Sequence, residues 1–305
     1  MVIIRPSIRF FKWRKIEWNG AARGYSGSFN NYYDLYGSAY FFENVRHIFA
    51  DSDLTIANLE GPLTESNNIN RKEYNYKGHK EYTDALVDGN IDVVNIENNH
   101  TFDYFQGGYN DTVAALEDAN IGYFGNGAVY IKEVNGMKVG FISSMGTDSA
   151  QYRLDRIKSA LDYLENCGID IKIITFHWGT MYEQKANSRQ RTIARFAIDN
   201  GADIVIGHHP HVLQGVEEYN GGYIAYSLGN FIFDIGVRTE ERAMSAILRY
   251  TFYVRGNEII DKKAELIPVY ITSSYDRGIN DFKPVILEGE DRERVLEKIR
   301  ERSAD

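Results

Sequence analysis

From about residue 50 onward, short apolar runs rich in β-branched residues alternate with stretches of helical spacing, and this alternation confines the chain to a layered α/β architecture. Residues 53–58, 91–96, 138–144, 170–176, 203–206 and 223–228 read as strands. Residues 109–119, 151–167 and 188–200 read as helices, with Ile157, Leu161 and Leu164 on one face and Ile193 and Ala197 on another. Gly168 and Gly201 stand where helix C-caps belong. No repeat, low-complexity tract or linker divides residues 25–275, which read as one domain. An atypical basic segment, 1–24, precedes it. A charged tail, 276–305, follows, in which Val295, Leu296 and Ile299 mark a peripheral amphipathic helix.

The apolar fraction of 43% over 305 residues suffices for a sizeable core. A net charge of −9, from 43 acidic and 34 basic residues, excludes a nucleic-acid surface, which needs a basic stripe. An anionic substrate would then require a locally positive site, which a metal supplies. The single cysteine, Cys167, permits no internal disulfide and reads as a small buried residue near a helix end. No apolar run reaches the roughly 18 residues of a membrane span. The first 33 residues carry six basic side chains and one acid, Glu17, without the continuous apolar stretch of a secretory signal.

The chemically capable residues follow the strands: Asn58 and Glu60 the first, Asn99 and His100 the second, His177 the fourth, His209 and His211 the fifth. In layered α/β folds ligands gather there, because the loops after the strands converge. In His208-His209-Pro210-His211 a one-residue gap lets two imidazoles face one cavity, and imidazole suits Zn, Mn or Fe; a histidine-rich surface turn is the alternative. His177 taken alone reads as a core histidine. The amides of Asn98 and Asn99 can cap a turn or ligate a hard cation, while His100 can protonate a leaving group with Asp103 orienting it. Asn58 and Glu60, two positions apart in an extended segment, point to one side. Together these donors suit a divalent metal that activates water. The polar stretch 64–83 reads as a long loop over the site, and Tyr25, Tyr32, Tyr33, Tyr36 and Tyr40 as ordinary packing rather than a polymer groove.

The ordered motifs Ala57 to Thr64, Asn98 to Asp103, His177-Trp178-Gly179 and Gly207 to Val212 resemble the CapA family of poly-γ-glutamate capsule synthesis proteins. Asp111-Thr112, Gly125-Asn126-Gly127 and Ser227 to Phe231 extend the resemblance over roughly residues 25–275. It implies a metallophosphatase-like sandwich of mixed β-sheets flanked by α-helices, with a two-metal site. By the same resemblance Glu60 is the bridging position with Asn58 beside it. Asn99, His177 and His209 hold one metal, His211 belongs to the other, and His100 is the acid near the leaving group.

The chain departs from that pattern twice. The family opens with a strand followed by Gly-Asp, whose carboxylate holds the first metal; here no aspartate precedes Asp34, and Trp13 to Arg23 occupies the place. Phe105 stands where the family has glycine after Asp103-Tyr104. The resulting expectation is a CapA-like protein of capsule or cell-surface polymer biosynthesis, a metal-dependent hydrolase with one or two divalent ions, of Mn, Fe or Zn. Its partners are an anionic polymer or phosphoester substrate and other capsule synthesis proteins. The alternatives are a non-catalytic polymer-binding or assembly accessory that has lost the first metal ligand, and a phosphoesterase unrelated to capsule. Location stays open between the cytoplasm and the periphery of the cell envelope.

Overall fold

A computed structural model describes residues 2–8, 28–146, 150–237, 239–256 and 258–304. Its strands are β1 (Val2–Ile8), β2 (Leu54–Leu59), β3 (Val93–Asn95), β4 (Gly122–Phe124), β5 (Tyr130–Val134), β6 (Met137–Met145) and β7 (Ile171–His177), then β8 (Ile204–His208), β9 (Val216–Tyr219), β10 (Gly222–Ala225), β11 (Asn230–Ile232), β12 (Met244–Arg255), β13 (Glu258–Tyr270) and β14 (Val285–Ile286). Its helices are α1 (Phe29–Tyr36), α2 (Arg46–Ala50), α3 (Thr83–Asp88), α4 (Phe105–Asp118), α5 (Ala150–Asn166), α6 (Ser188–Asp199), α7 (Glu240–Ala243) and α8 (Gly289–Ser303). Among the described residues no helix is long and apolar enough to cross a membrane.

The strands build two mixed sheets. One runs β14-β13-β12-β1-β2-β3-β4, with β11 also paired to β1; the other runs β5-β6-β7-β8-β10-β9. Within them β1 to β4 are mutually parallel, as are β6, β7, β8 and β10. Every residue of β2, β7 and β8 is buried, which is why these strands read as unbroken apolar runs instead of alternating ones.

Alternate side chains on each strand enter different cores. Leu54 and Ile56 of the first sheet meet Phe141, Ile171, Ile173, Ile204 and Ile206 of the second in the layer between the sheets. Ala57 and Leu59 face the opposite way, toward Ala85, Leu86 and Leu116 of the outer helices. Ile142, Ile174 and Val205 face α5 and α6, where Ile157, Leu161, Leu164, Ile193 and Ala197 are buried as their spacing predicts. The layers are therefore helix, sheet, sheet, helix. Helix α6 starts where it does because Asn187 and Gln190 form a reciprocal capping box.

Three local readings change. Residues 2–8, set aside within the basic segment, pair as β1 between β2 and β12. Arg5-Pro6 hides this strand, and the pairing register with β2 shifts between Ile4 and Ser7, as a proline that cannot donate to a ladder requires. Cys167 is exposed, not buried. Helix α8 is bound into the structure: Val295, Ile299 and even Arg302 are buried. The hairpin β12–β13 escaped pattern reading because its outer half is a half-exposed edge with Asp261, Lys262 and Lys263 in succession. Tyr32, Tyr33 and Tyr40 pack against the outer-helix core, in keeping with the packing reading; Tyr36 does not, being exposed and stacked on Tyr40, and Tyr25 lies outside the described residues.

Gly207 sets the closest approach behind the site. A Cβ there would lie 1.9 Å from the Tyr226 carbonyl oxygen and 2.3 Å from Trp178 Nε1. Those two atoms are hydrogen-bonded to each other at 3.0 Å, so neither can yield cheaply. Gly207→Ala should destabilise the protein by about 2–3 kcal/mol, read from urea unfolding; an unchanged midpoint would contradict the packing described.

Candidate functional site

The carboxyl ends of β2, β3, β7 and β8 lie at one edge, so both sheets contribute to the same site. His177 ends β7 and pairs with His208 at the end of β8. The chain beyond β8 brings His209 against His177: His209 Nδ1 lies 3.1 Å from His177 Nε2, and that same nitrogen lies 2.6 Å from Asn99 Oδ1. Asn99 belongs to the loop after β3 of the other sheet, so this cluster bridges the two sheets. Across the 3.1 Å gap only one imidazole can hold the proton, and the other presents a lone pair.

Electrostatics keep these rings neutral. Burial holds the His177 imidazole well below its usual value, against the opposing charge of Glu60. Burial brings His208 down to about 4 and lowers His209 as well. A neutral imidazole is the form that binds a metal. The buried Nδ1 of His177 has no hydrogen-bond partner among the described residues. The donor set, two neutral imidazoles and an amide oxygen, fits one borderline divalent cation.

His211 lies beyond, its ring 6.0 Å from that of His209 and its Nε2 3.7 Å from the buried Glu60 carboxylate. Asn230 orients it through His211 Nδ1, at 3.0 Å, and its own amide donates back to the His211 carbonyl at 3.1 Å. Asn58 is buried and its Oδ1 accepts from Asn95 at 2.9 Å, which ties it to β3. His100 Nδ1 lies 2.8 Å from Asp103, and Tyr76 packs over the His100 ring at 3.7 Å. Asp103 also accepts from the Tyr76 backbone at 2.7 Å and from Lys72 at 2.8 Å. The 64–83 stretch thus covers the His100 side of a cleft of about 660 Å³.

Among the described residues no three His, Cys, Asp or Glu side chains are placed to hold a metal, because the tight cluster is completed by an amide and not by a carboxylate. The segment Trp13 to Arg23 lies outside the described residues. Strand β1 ends with Ser7 beside Asn58 and Ile8 beside Leu59. Lys72, Tyr76, Asn95, Asn230 and Glu97 were not singled out as functional from the sequence. Glu97 is buried and accepts from Ser143 and Asn126, stitching the sheets together below the cleft. Of these five residues only Asn230, within the Ser227 to Phe231 motif, carried a sequence signal. Of the other motif residues, Thr112 accepts from the Leu63 backbone at 2.9 Å and Asp111 bonds Thr64, which pins the turn after Glu60 to α4.

Two mixed sheets in a sandwich flanked by helices, with imidazoles, amides and a carboxylate gathered where their strands end, define an α/β protein with a polar cleft at that edge. The chain belongs to the family of bacterial capsule synthesis proteins, PGA_cap, whose model matches residues 14–235. It is 32% identical over 275 residues to a capsule biosynthesis protein CapA of Bacillus anthracis, covering 80% of this chain and 66% of that one. It is 35% identical over 230 residues to a PGA biosynthesis protein CapA of Bacillus subtilis, covering 68% of this chain and 60% of that one. The chain therefore spans less than two thirds of the length of these relatives. In fold it is similar to a hypothetical protein from Thermus thermophilus, at a TM-score of 0.51 and 16% identity over 88% of this chain and 98% of that one.

The backbone at the site is strained. His209 and His211 have φ of 100° and 59°, and Phe105, behind His100, has φ of 52°. For side-chain-bearing residues this left-handed region costs about 1–2 kcal/mol, which accounts for the glycine expected at position 105. Phe105 is exposed, so it brings little burial in return. Phe105→Gly should raise stability by about 0.5–1 kcal/mol, after the entropy cost of glycine; chemical denaturation showing a loss would refute the strain argument.

Proposed function

We propose that this chain takes part in making poly-γ-glutamate or a related anionic cell-surface polymer, and that its cleft is a metal-dependent hydrolytic site of the phosphoesterase kind. The names of its relatives support the first part. The observation that carries the second is the convergence of Asn99 Oδ1, His177 Nε2 and His209 Nδ1, from three strand ends on two sheets, with successive separations of 2.6 and 3.1 Å. In this reading those three atoms hold a divalent ion, with Glu60 and His211 on the side of a second position and Asn58 beside them. Mn, Fe or Zn suits such donors. When bound, the ion lowers the pKa of water and offsets charge developing on the substrate.

The remaining chemistry belongs to the chain itself. Asp103, buried and charge-balanced by Lys72, holds His100 through Nδ1 and so directs Nε2 toward proton exchange with a leaving oxygen. Tyr76 over the ring restricts its rotation and keeps solvent from that face. The Asn230 bonds hold His211 in one tautomer.

A second reading, a polymer-binding accessory without turnover, is favoured by one observation: β1 reaches the site edge at Ile8, and no acid occurs in the chain before Glu17. Metal analysis of protein purified without chelator, with a panel of phosphodiester, phosphomonoester and γ-glutamyl substrates, separates the two. The hydrolytic reading expects bound metal that a His177→Ala/His209→Ala variant loses; equal metal in both proteins would remove the site assignment. His100→Asn should keep the metal while lowering turnover about 100-fold. That loss should shrink on a substrate with a good leaving group, and a loss independent of leaving group would deny His100 the acid role.

A further inference from the structure

The cleft extends past the donor cluster to a second polar feature. Tyr182 lies one ring beyond His211, with ring centroids 6.4 Å apart, and the Arg242 guanidinium sits over the Tyr182 ring at 4.4 Å. Both line the same cleft as His100 and His211. Among the described residues the Arg242 guanidinium makes no ion pair or hydrogen bond, so its planar donor fork is available to a ligand while its face is supported by the ring.

This is a held cation, not a loose one. The neighbours of Arg242 in α7 are committed elsewhere: Glu240 to Arg294 and Lys298, and Glu241 to Lys298 and Arg302, all on α8. Buried Arg302 also donates to the Leu213 carbonyl at 2.8 Å and to Gln184 at 3.2 Å, so one side chain ties together the segments that carry Arg242, Tyr182 and His211. The Tyr182 backbone is held as well, donating to the Pro210 carbonyl at 2.7 Å. A guanidinium arranged in this way matches a planar oxyanion bidentately. Tyr74, Phe233 and Ile235 give the wall an apolar side that suits methylene spacers between charged groups, while the carboxylates of Glu73 and Asp234 line the cleft as well and leave Arg242 to supply the local positive charge.

We propose that Arg242, stacked on Tyr182, is a carboxylate-recognition residue that seats one pendant carboxylate of a flexible polyanionic chain while another part of that chain reaches the donor cluster. This rests on the polymer reading above but not on turnover. The test is direct binding, at two salt concentrations, of three probes to the full chain: short oligo-γ-glutamate, the chain of equal length with its pendant α-carboxylates converted to amides (γ-linked isoglutamine), and inorganic phosphate. Wild type should prefer oligo-γ-glutamate to its uncharged counterpart. Arg242→Gln should weaken that binding about tenfold and flatten its salt dependence. Arg242→Lys, which keeps the charge but not the fork, should recover it only in part. Metal content should be the same in all three proteins. Unchanged oligo-γ-glutamate affinity in Arg242→Gln, or a loss confined to phosphate, would overturn the assignment. A metal-free, inactive protein that still binds oligo-γ-glutamate through Arg242 would refute the hydrolytic reading and leave this one standing.

Discussion

Burying both faces of two largely parallel sheets at once is the constraint from which the rest of the structure follows. Strands such as β2, β7 and β8 have no polar face, so each sheet needs cover on both sides. Stacking the sheets against one another covers the inner faces, and helices cover the outer ones. Parallel strands then deliver their carboxyl ends to a common edge. The polar groups that follow β3 in one sheet and β7 and β8 in the other come within hydrogen-bonding distance there, as Asn99, His177 and His209 do.

A polar tier below the cleft makes that meeting definite. Asn95 holds Asn58, Asn230 holds His211, and Glu97 joins the β3 loop to β6 through Ser143. Gln190 and Gln214 pair at 2.9 Å between α6 and the segment after the histidines. Buried polar groups with partners specify one arrangement, because any shift would leave a donor or acceptor unsatisfied away from water. The left-handed backbone of His209 and His211 persists for the same reason, since the surrounding contacts over-determine it.

The ion pairs between α7 and α8 extend this logic to the far end of the cleft. Glu240 shows how strongly the network is coupled. Burial alone would raise its carboxyl, yet hydrogen bonds from Tyr270, Arg294 and Lys298 hold it down at about 2. The carboxyl-terminal helix thereby helps shape the cleft although none of its residues lines it.

Much of this could be read from the chain before folding, for identifiable reasons. Strands buried on both faces announce themselves as apolar runs, helices by their spacing, and strand-end polar motifs by their order along the sequence. Residues 2–8 and the hairpin β12–β13 did not announce themselves, because a Pro-interrupted central strand and a charged edge hairpin both lose the periodicity that marks a strand. Residue order alone settles which side chains end the strands and what chemistry they offer. Which of them touch was settled only when the sheets stacked: Asn58 turns to Asn95, Asn99 spans the sheets to His177, and Arg242 stacks on Tyr182 from a distant part of the chain. Those choices depend on sheet stacking and on long-range ion pairs, and no local pattern encodes the distance between two strand ends in different sheets.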